Sequence, residues 1–525
     1  MKLEQLHNHN SPNKSFNHPI TNFSTKSFIS SLFNSIVLHA NPLGLHICYF
    51  LTITVLGYLA LKLSKPRTDY TPTDFDLFFT AASASTVASL STVEMEVFSN
   101  TQLVIMFTLI FLGGEIFISL LGLQLRRSKL ISSSLHKNRA NSSIADQEQS
   151  IELGSVMFQK PVESDHDDET RLLHNSIKSL GYVVTGYILV AHVLGTSLVS
   201  MYISLTTNAK SVLENKGLVL LTFYVFTTVS TFANCGFIPT NENMIVFRNN
   251  PGLLLILIPF GLVGETLYPP CLRLIIWVME RYTKRKEYTY MLENYKELNY
   301  GHLMSSKECW FLVATVFGFL TLQFVTFCIM EWSSGVMEGM SSYEKVVGSL
   351  FQMANARHAG ESVVDLSVVS SVILVIFIVM MYFPPYTSFL PIGYQQQEED
   401  IQSIKSRKMY KKKNIIQNLI FSQLSYLTIF VILICFTERK SLKDDPLNFN
   451  VLNIVFEVIS AYGSVGFSTG YGCKRRLKLD ENCIDKSYGL AGWFSKEGKA
   501  ILILAMFYGR FKKFNVHGGQ AWRLI

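Results

Sequence analysis

This sequence has little charge for its length. Asp, Glu, Lys and Arg make up 16% of its 525 residues, against about 25% in soluble domains. With 49% hydrophobic residues and a mean hydropathy of +0.26, the scarcity excludes an ordinary soluble chain. It points to a membrane protein with modest loops. Closely spaced cysteines are also missing. The eight Cys are scattered without a CxxC pair, which argues against a zinc site. The chain has no nucleophile–base pattern, phosphate loop or metal motif, so an enzyme is not expected, and no loop suggests a folded signalling domain. Residues 1–27 are polar and rich in His, Asn and Ser. They lack a basic start followed by a short apolar core, so no signal peptide is read. The net charge of +7 is a topology signal rather than a nucleic-acid one, because Lys and Arg gather in a few loops.

What the sequence does have is a recurring fragment. Phe226 to Phe237 reads FTTVSTFANCGF, with weaker echoes at Phe79–Leu90 (FTAASASTVASL), Phe351–Gly360 (FQMANARHAG) and Ile459–Phe467 (ISAYGSVGF). Each is partly apolar and lies between two long apolar runs. Such self-similarity marks a repeated architecture. Non-helical backbone at membrane depth is tolerated only where it is buried in protein or lines water, so four such segments imply a shared aqueous pore. The expected fold is all-α and integral to the membrane. It has eight transmembrane helices arranged as four helix–pore-loop–helix repeats around one central pore.

The boundaries follow from apolar runs of about 20 residues. Repeats are placed at 44–123, 176–286, 308–391 and 415–514, with tails at 1–43 and 515–525. A disordered loop is expected at 124–175, where apolar periodicity is absent, a linker at 287–307, and a basic loop at 392–414 carrying KSRKMYKKK. The basic loops after the second, fourth and sixth spans and the basic C-terminus share one side, which places both termini in the cytoplasm. Lys65–Arg67 and the KRRLK run (474–478) are exceptions on the outer side. Cys473 and Cys483 flank that run at a spacing that could close an external disulfide loop, two unpaired thiols being the alternative. Sequons at Asn13, Asn22 and Asn141 fall inside and should be unmodified.

The runs STVEMEVFSN, FTTVSTFANCGFIPTNENM, SSYEKVVGSLFQ, NFNVLNIVFEVISAYG and FYGRFK resemble the plant HKT transporters of the Trk/Ktr/HKT superfamily, over nearly the whole chain from about Tyr49 to Phe514. The resemblance implies monovalent-cation transport at the plasma membrane, usually by a homodimer in the lipid bilayer. No organic cofactor and no nucleic-acid partner are implied. Its motifs place the selectivity filter at Ser89, Gly236, Gly360 and Gly466, a Ser-Gly-Gly-Gly pattern similar to the sodium-selective subfamily, although the first motif reads TVAS with Ala88 where a further Ser is usual. Na⁺ is thus the expected cargo and passive, channel-like transport the leading function. The alternatives are a K⁺ transporter or Na⁺/K⁺ symporter, and a proton-coupled carrier using Glu115 and Glu265.

The residue types fit that reading. A filter replaces an ion's water with carbonyl oxygens, and Gly adopts the required backbone angles at little cost. A single loop Gly is usually just a turn; three at matching places in repeats are not. The Ser89 side chain occupies space that Gly would leave open, unless it turns away to bond its own pore helix. Asn234 is adjacent to the filter. Glu94, Glu96, Glu242, Glu361 and Asp365 lie just beyond it, either concentrating cations or serving as ordinary loop acids. Arg510 in the last span is read as a pore restriction or as a snorkelling anchor. Glu115 and Glu265 are read mainly as partners for free backbone amides, and Pro384–Pro385 as a break in the sixth span, either a gate or intracellular constriction or a plain helix end.

Overall fold

The computed structural model describes residues 42–148, 164–388, 423–476 and 483–515. The described residues from His46 onward form one compact unit. Every regular element among the described residues is helical. The elements fall into four successive triplets of a long helix, a short helix and a further helix. The first triplet is Pro42–Leu63, Asp74–Ser85 and Asn100–Gly113; the second is Ser164–Leu205, Leu220–Phe232 and Pro251–Gly264. The third is Ser306–Glu331, Ser342–Asn355 and Ser371–Tyr382, and the fourth Gln423–Thr437, Val451–Gly463 and Lys496–Asn515.

The first helices of the first three triplets are long and apolar. Leu43–Leu63, Glu169–Leu205 and Ser306–Glu331 each suffice by length and composition to cross a membrane. They also leave large apolar side chains bare, with Val193 and Ile329 66% and 76% exposed. Elsewhere Gln102, Gln352 and Glu457 are buried. Apolar surface left bare in this way suits a lipid solvent.

Local signals start three of the four short helices. Thr73 and Asn450 accept from the amides of Asp76 and Asn453, and Ser341 with Glu344 forms a reciprocal capping box. Each satisfies donors that the first turn leaves orphaned. A second recurring device ties the third helix of a triplet to the end of its first. Gln102 donates to the carbonyls of Leu61 and Ser64 at 3.0 and 3.1 Å. Glu331 accepts from the Ser370 amide at 2.9 Å, and Glu438 from the Ser495 amide at 2.8 Å.

Several boundaries differ from the sequence reading. The second span breaks at Gly114 with a 55° bend between Asn100–Gly113 and the helix from Glu115. The fourth breaks around Glu265 with an 81° bend between Pro251–Gly264 and Tyr268–Thr283. The sixth, expected to reach residue 390, ends as a helix at Tyr382, just before Pro384. Helix also occupies much of the stretch expected to be a disordered loop, since Glu115–Glu148 and Ser164–Leu205 run into it from both sides. Missing apolar periodicity did not prevent helices from continuing out of apolar spans. The loop's remaining residues, the basic loop 392–414 and the two outer tails at 1–41 and 516–525 lie outside the described residues. Part of the linker 287–307 turns inward, burying Leu298, Tyr300 and His302. His302 bridges Ser119 Oγ at 2.6 Å and Tyr386 Oη at 2.8 Å.

Candidate functional site

Each short helix ends three to five residues before one of the four singled-out positions, at Ser85, Phe232, Asn355 and Gly463. The chain then takes a turn that ordinary side chains resist. Ser89, Gly236, Gly360 and Gly466 all have positive φ, at 47°, 91°, 65° and 93°. Two residues earlier, Val87, Asn234 and Ser464 do as well. In the first, second and fourth triplets the same bond precedes it. The amides of Ala88, Cys235 and Val465 donate to the carbonyls of Ser83, Ser230 and Ser460 at 2.8–3.1 Å. The serines at two of those positions also accept from the ring glycines themselves, Gly236 N to Ser230 Oγ at 3.1 Å and Gly466 N to Ser460 Oγ at 3.0 Å. The third triplet is offset by one residue, with Gly360 N donating to Asn355 O at 3.1 Å.

The four turns meet in sequence order and close a ring. A Cβ on Gly236 would collide with the Ala359 carbonyl, and one on Gly360 with the Val465 carbonyl. A Cβ on Gly466 would collide with the Ser89 hydroxyl and stand 2.9 Å from the Ala88 carbonyl. Positive φ and backbone crowding therefore both demand glycine at these three places. Ser89 alone keeps a side chain. Its Oγ donates to Val465 O at 3.3 Å, and it also lies 3.2 Å from the place of a Cβ on Gly236. The hydroxyl thus reaches across to the fourth turn instead of bonding its own short helix. The ring floors an open cavity of about 510 Å³, whose wall includes Asp365, Tyr471, Lys474 and Arg475.

Asn234 is 4% exposed, and neither amide atom has a protein partner. An orphaned buried amide costs about 1–3 kcal/mol, so water or an ion is its natural partner. Arg510 is 2% exposed, too enclosed for a snorkelling anchor. It donates to the Gly113 carbonyl and lies over the Phe50 ring at 5.8 Å. That places a cation on the C-terminal end of the helix Asn100–Gly113, a favourable position for it. Glu115 and Glu265, at the two helix breaks, bring negative charge to the same guanidinium.

The acids beyond the ring are not a free acidic rim. Glu361 is fully buried and accepts from Thr231 Oγ1 at 2.5 Å. Glu96 and Glu242 share Lys216 at 2.5 and 2.6 Å. Burial alone would depress that ammonium, but its hydrogen bonds to Glu242 and Glu96 outweigh burial and raise its pKa. Glu94 faces Lys486 at 3.9 Å and accepts from the Ser487 amide at 3.3 Å. Asp365 remains exposed on the cavity wall. The Cys473–Cys483 disulfide is present.

Three contributors escaped the sequence reading. Asn243 reaches the Gly236 carbonyl at 3.4 Å and accepts from the Ser362 amide at 3.3 Å, linking the second and third turns. Nothing local marks it. Ser230 and Ser460 could have been found, since both stand six residues before a ring glycine. A further register is visible only in space. Gly113, Gly264 and Gly509 each press on the carbonyl four residues before a ring residue, those of Ser85, Phe232 and Tyr462. Arg510 and Glu265 directly follow two of these glycines.

The TrkH family, described as a cation transport protein, matches residues 46–517. The sodium transporter HKT1 of Arabidopsis thaliana is 51% identical over 89% of this chain and 92% of its own length. The cation transporter HKT1;3 of Oryza sativa subsp. japonica is 47% identical over 92% of each chain. Among solved structures, the potassium transporter TrkH from Vibrio parahaemolyticus aligns with a TM-score of 0.49 at 12% identity, over 90% of this chain and 83% of that one.

Proposed function

The chain belongs to the TrkH family of cation transport proteins, and from that premise we propose that it is a sodium-selective, passive transporter. In this reading the four triplets are membrane repeats around one pore, in a homodimer of the plasma membrane with both termini cytoplasmic. Na⁺ is the cargo, and no organic cofactor takes part. The observation that carries the reading is the closed ring in which neighbouring turns fill the Cβ places of three glycines and only the first position keeps a side chain, that of Ser89. Carbonyls of Ser89, Gly236, Gly360 and Gly466 would replace the hydration shell of the ion. The four short helices turn their C-terminal ends toward that point, adding partial negative charge. The Ser89 hydroxyl narrows the ring and so penalises K⁺, the larger ion. Arg510, at the level of the helix breaks, restrains flow below it. The Arabidopsis relative's name, a sodium transporter, supports the sodium assignment.

The test is electrical. In oocytes expressing the full chain, the reversal potential should follow the external Na⁺ concentration. Exchanging K⁺ or stepping external pH should leave it nearly unchanged. A potential that tracks K⁺ would establish a K⁺ transporter or symporter instead. One that tracks the proton gradient would establish a coupled carrier working through Glu115 and Glu265.

A further inference from the structure

Beyond the fourth ring residue the chain turns back over the cavity. Gly466 leads through Tyr471 and Gly472 into a short turn, Cys473–Arg475, which the disulfide ties to Cys483. This turn is anchored at several points. Asn448 accepts from the Gly472 amide at 3.1 Å and donates to its carbonyl at 3.0 Å. The Cys473 amide donates to Asp485 at 2.7 Å, and Tyr471 stacks on Trp493 with ring centroids 4.0 Å apart. Arg475 donates to the Gly470 carbonyl at 3.4 Å, so its guanidinium lies against the backbone that leaves the ring. Lys474 is exposed beside it. Both side chains line the cavity above Ser89, Gly236, Gly360 and Gly466.

That placement is unfavourable for a mouth that admits cations. Acids in a cleft concentrate cations, but here the acidic lining residues Glu242, Asp365 and Asp485 face the basic lining residues Lys474, Arg475 and Lys486. Lys216 and Lys486 already pair with Glu242 and Glu94. Lys474 and Arg475 on the disulfide-closed turn stand outside these pairs and offset Asp365 and Asp485, the two lining acids that would otherwise concentrate cations.

We propose that the Cys473–Cys483 bridge holds Lys474 and Arg475 at the pore mouth as a fixed positive charge that limits Na⁺ entry; this rests on the pore reading above. Its reach is set by screening, with a Debye length of ~30 Å at 0.01 M salt and ~8 Å at 0.15 M. The brake should therefore act most strongly in dilute solution. The bridge acts by position, since closing a loop removes conformations in which the charge swings away.

The experiment compares Na⁺ currents of the parent chain with K474Q/R475Q, R475K and C473S/C483S. Each is measured at low ionic strength and near physiological salt, with currents normalised to surface protein. K474Q/R475Q should carry at least about twofold more current in dilute solution and nearly the same current at high salt. Its reversal potential should not move. R475K should match the parent, and C473S/C483S should show part of the gain. Lys474 is exposed, so K474Q alone serves if the double variant fails to reach the surface. Dithiothreitol applied to the surface-expressed parent replaces the cysteine variant in the same way. Equal currents for parent and K474Q/R475Q at low ionic strength would overturn the proposal, as would a gain that persists unscreened at high salt. Failure of the pore reading would look different, because substitutions at Ser89 would then leave the reversal potential unmoved whatever the charge variants do.

Discussion

At the scale of single residues, backbone angle and orphaned polar atoms carry the most information. Ser89 holds φ at 47°, where a residue with a Cβ pays a penalty of roughly 1–2 kcal/mol. Ser89→Gly should therefore fold at least as well as the parent, whereas Gly236→Ser must collide with the Ala359 carbonyl and should lose conduction. Asn234 yields a second prediction. Both its amide atoms are unpartnered and its φ is 55°, and we propose that it faces the ion path. Asn234→Asp adds a full charge there and should change the Na⁺/K⁺ permeability ratio. Direct contact would favour Na⁺, and a charge set back from the axis would help K⁺ enter. Normal surface expression with an unchanged ratio would contradict that placement. The three ring glycines were legible because they recur at one place in similar fragments, whereas the place of Ser89 came from the family resemblance. The fate of the acids was not, because Lys216 and Thr231 approach them from distant parts of the chain.

At the scale of elements, the helix breaks depend on glycines that touch the short helices. Gly264 presses on the Phe232 carbonyl so closely that a methyl group cannot fit. Gly264→Ala should lower thermal stability in detergent and reduce surface expression. Gly318 is the internal control. It lies within the helix Ser306–Glu331, where an added methyl would meet nothing within 4 Å. Gly318→Ala should be neutral or stabilising by up to about 1 kcal/mol, the helix-propensity difference. Similar losses for both variants would refute the register between the third helices and the ring. Element identity was readable from apolar length. The 55° and 81° bends were not, because Gly-Gly-Glu and Gly-Glu inside an apolar run leave the periodicity intact. The Pro384–Pro385 break was readable, since proline ends helices on its own account.

At the scale of the whole molecule, four separately folded turns have to meet in chain order, which no local pattern specifies. The closure runs from the second turn to the third, the third to the fourth, and the fourth back to the first. The proposed orientation, with both termini cytoplasmic, rests on charge. Tags inserted at residues 140 and 405 should be protected from external labelling and one near 480 should be accessible; external labelling at 140 would reverse the assignment. The central claim is that this ring is the selectivity filter and that Ser89 sets its preference. It is tested most directly by the reversal potential of Ser89→Gly as external Na⁺ is replaced by K⁺. With four glycines the ring should admit more K⁺. Because about 1.4 kcal/mol between two ions is a tenfold change in preference, even a modest relief should be measurable. The predicted result is a clear positive shift in K⁺ relative to the parent, with current retained. A conducting Ser89→Gly variant that stays as Na⁺-selective as the parent would contradict it.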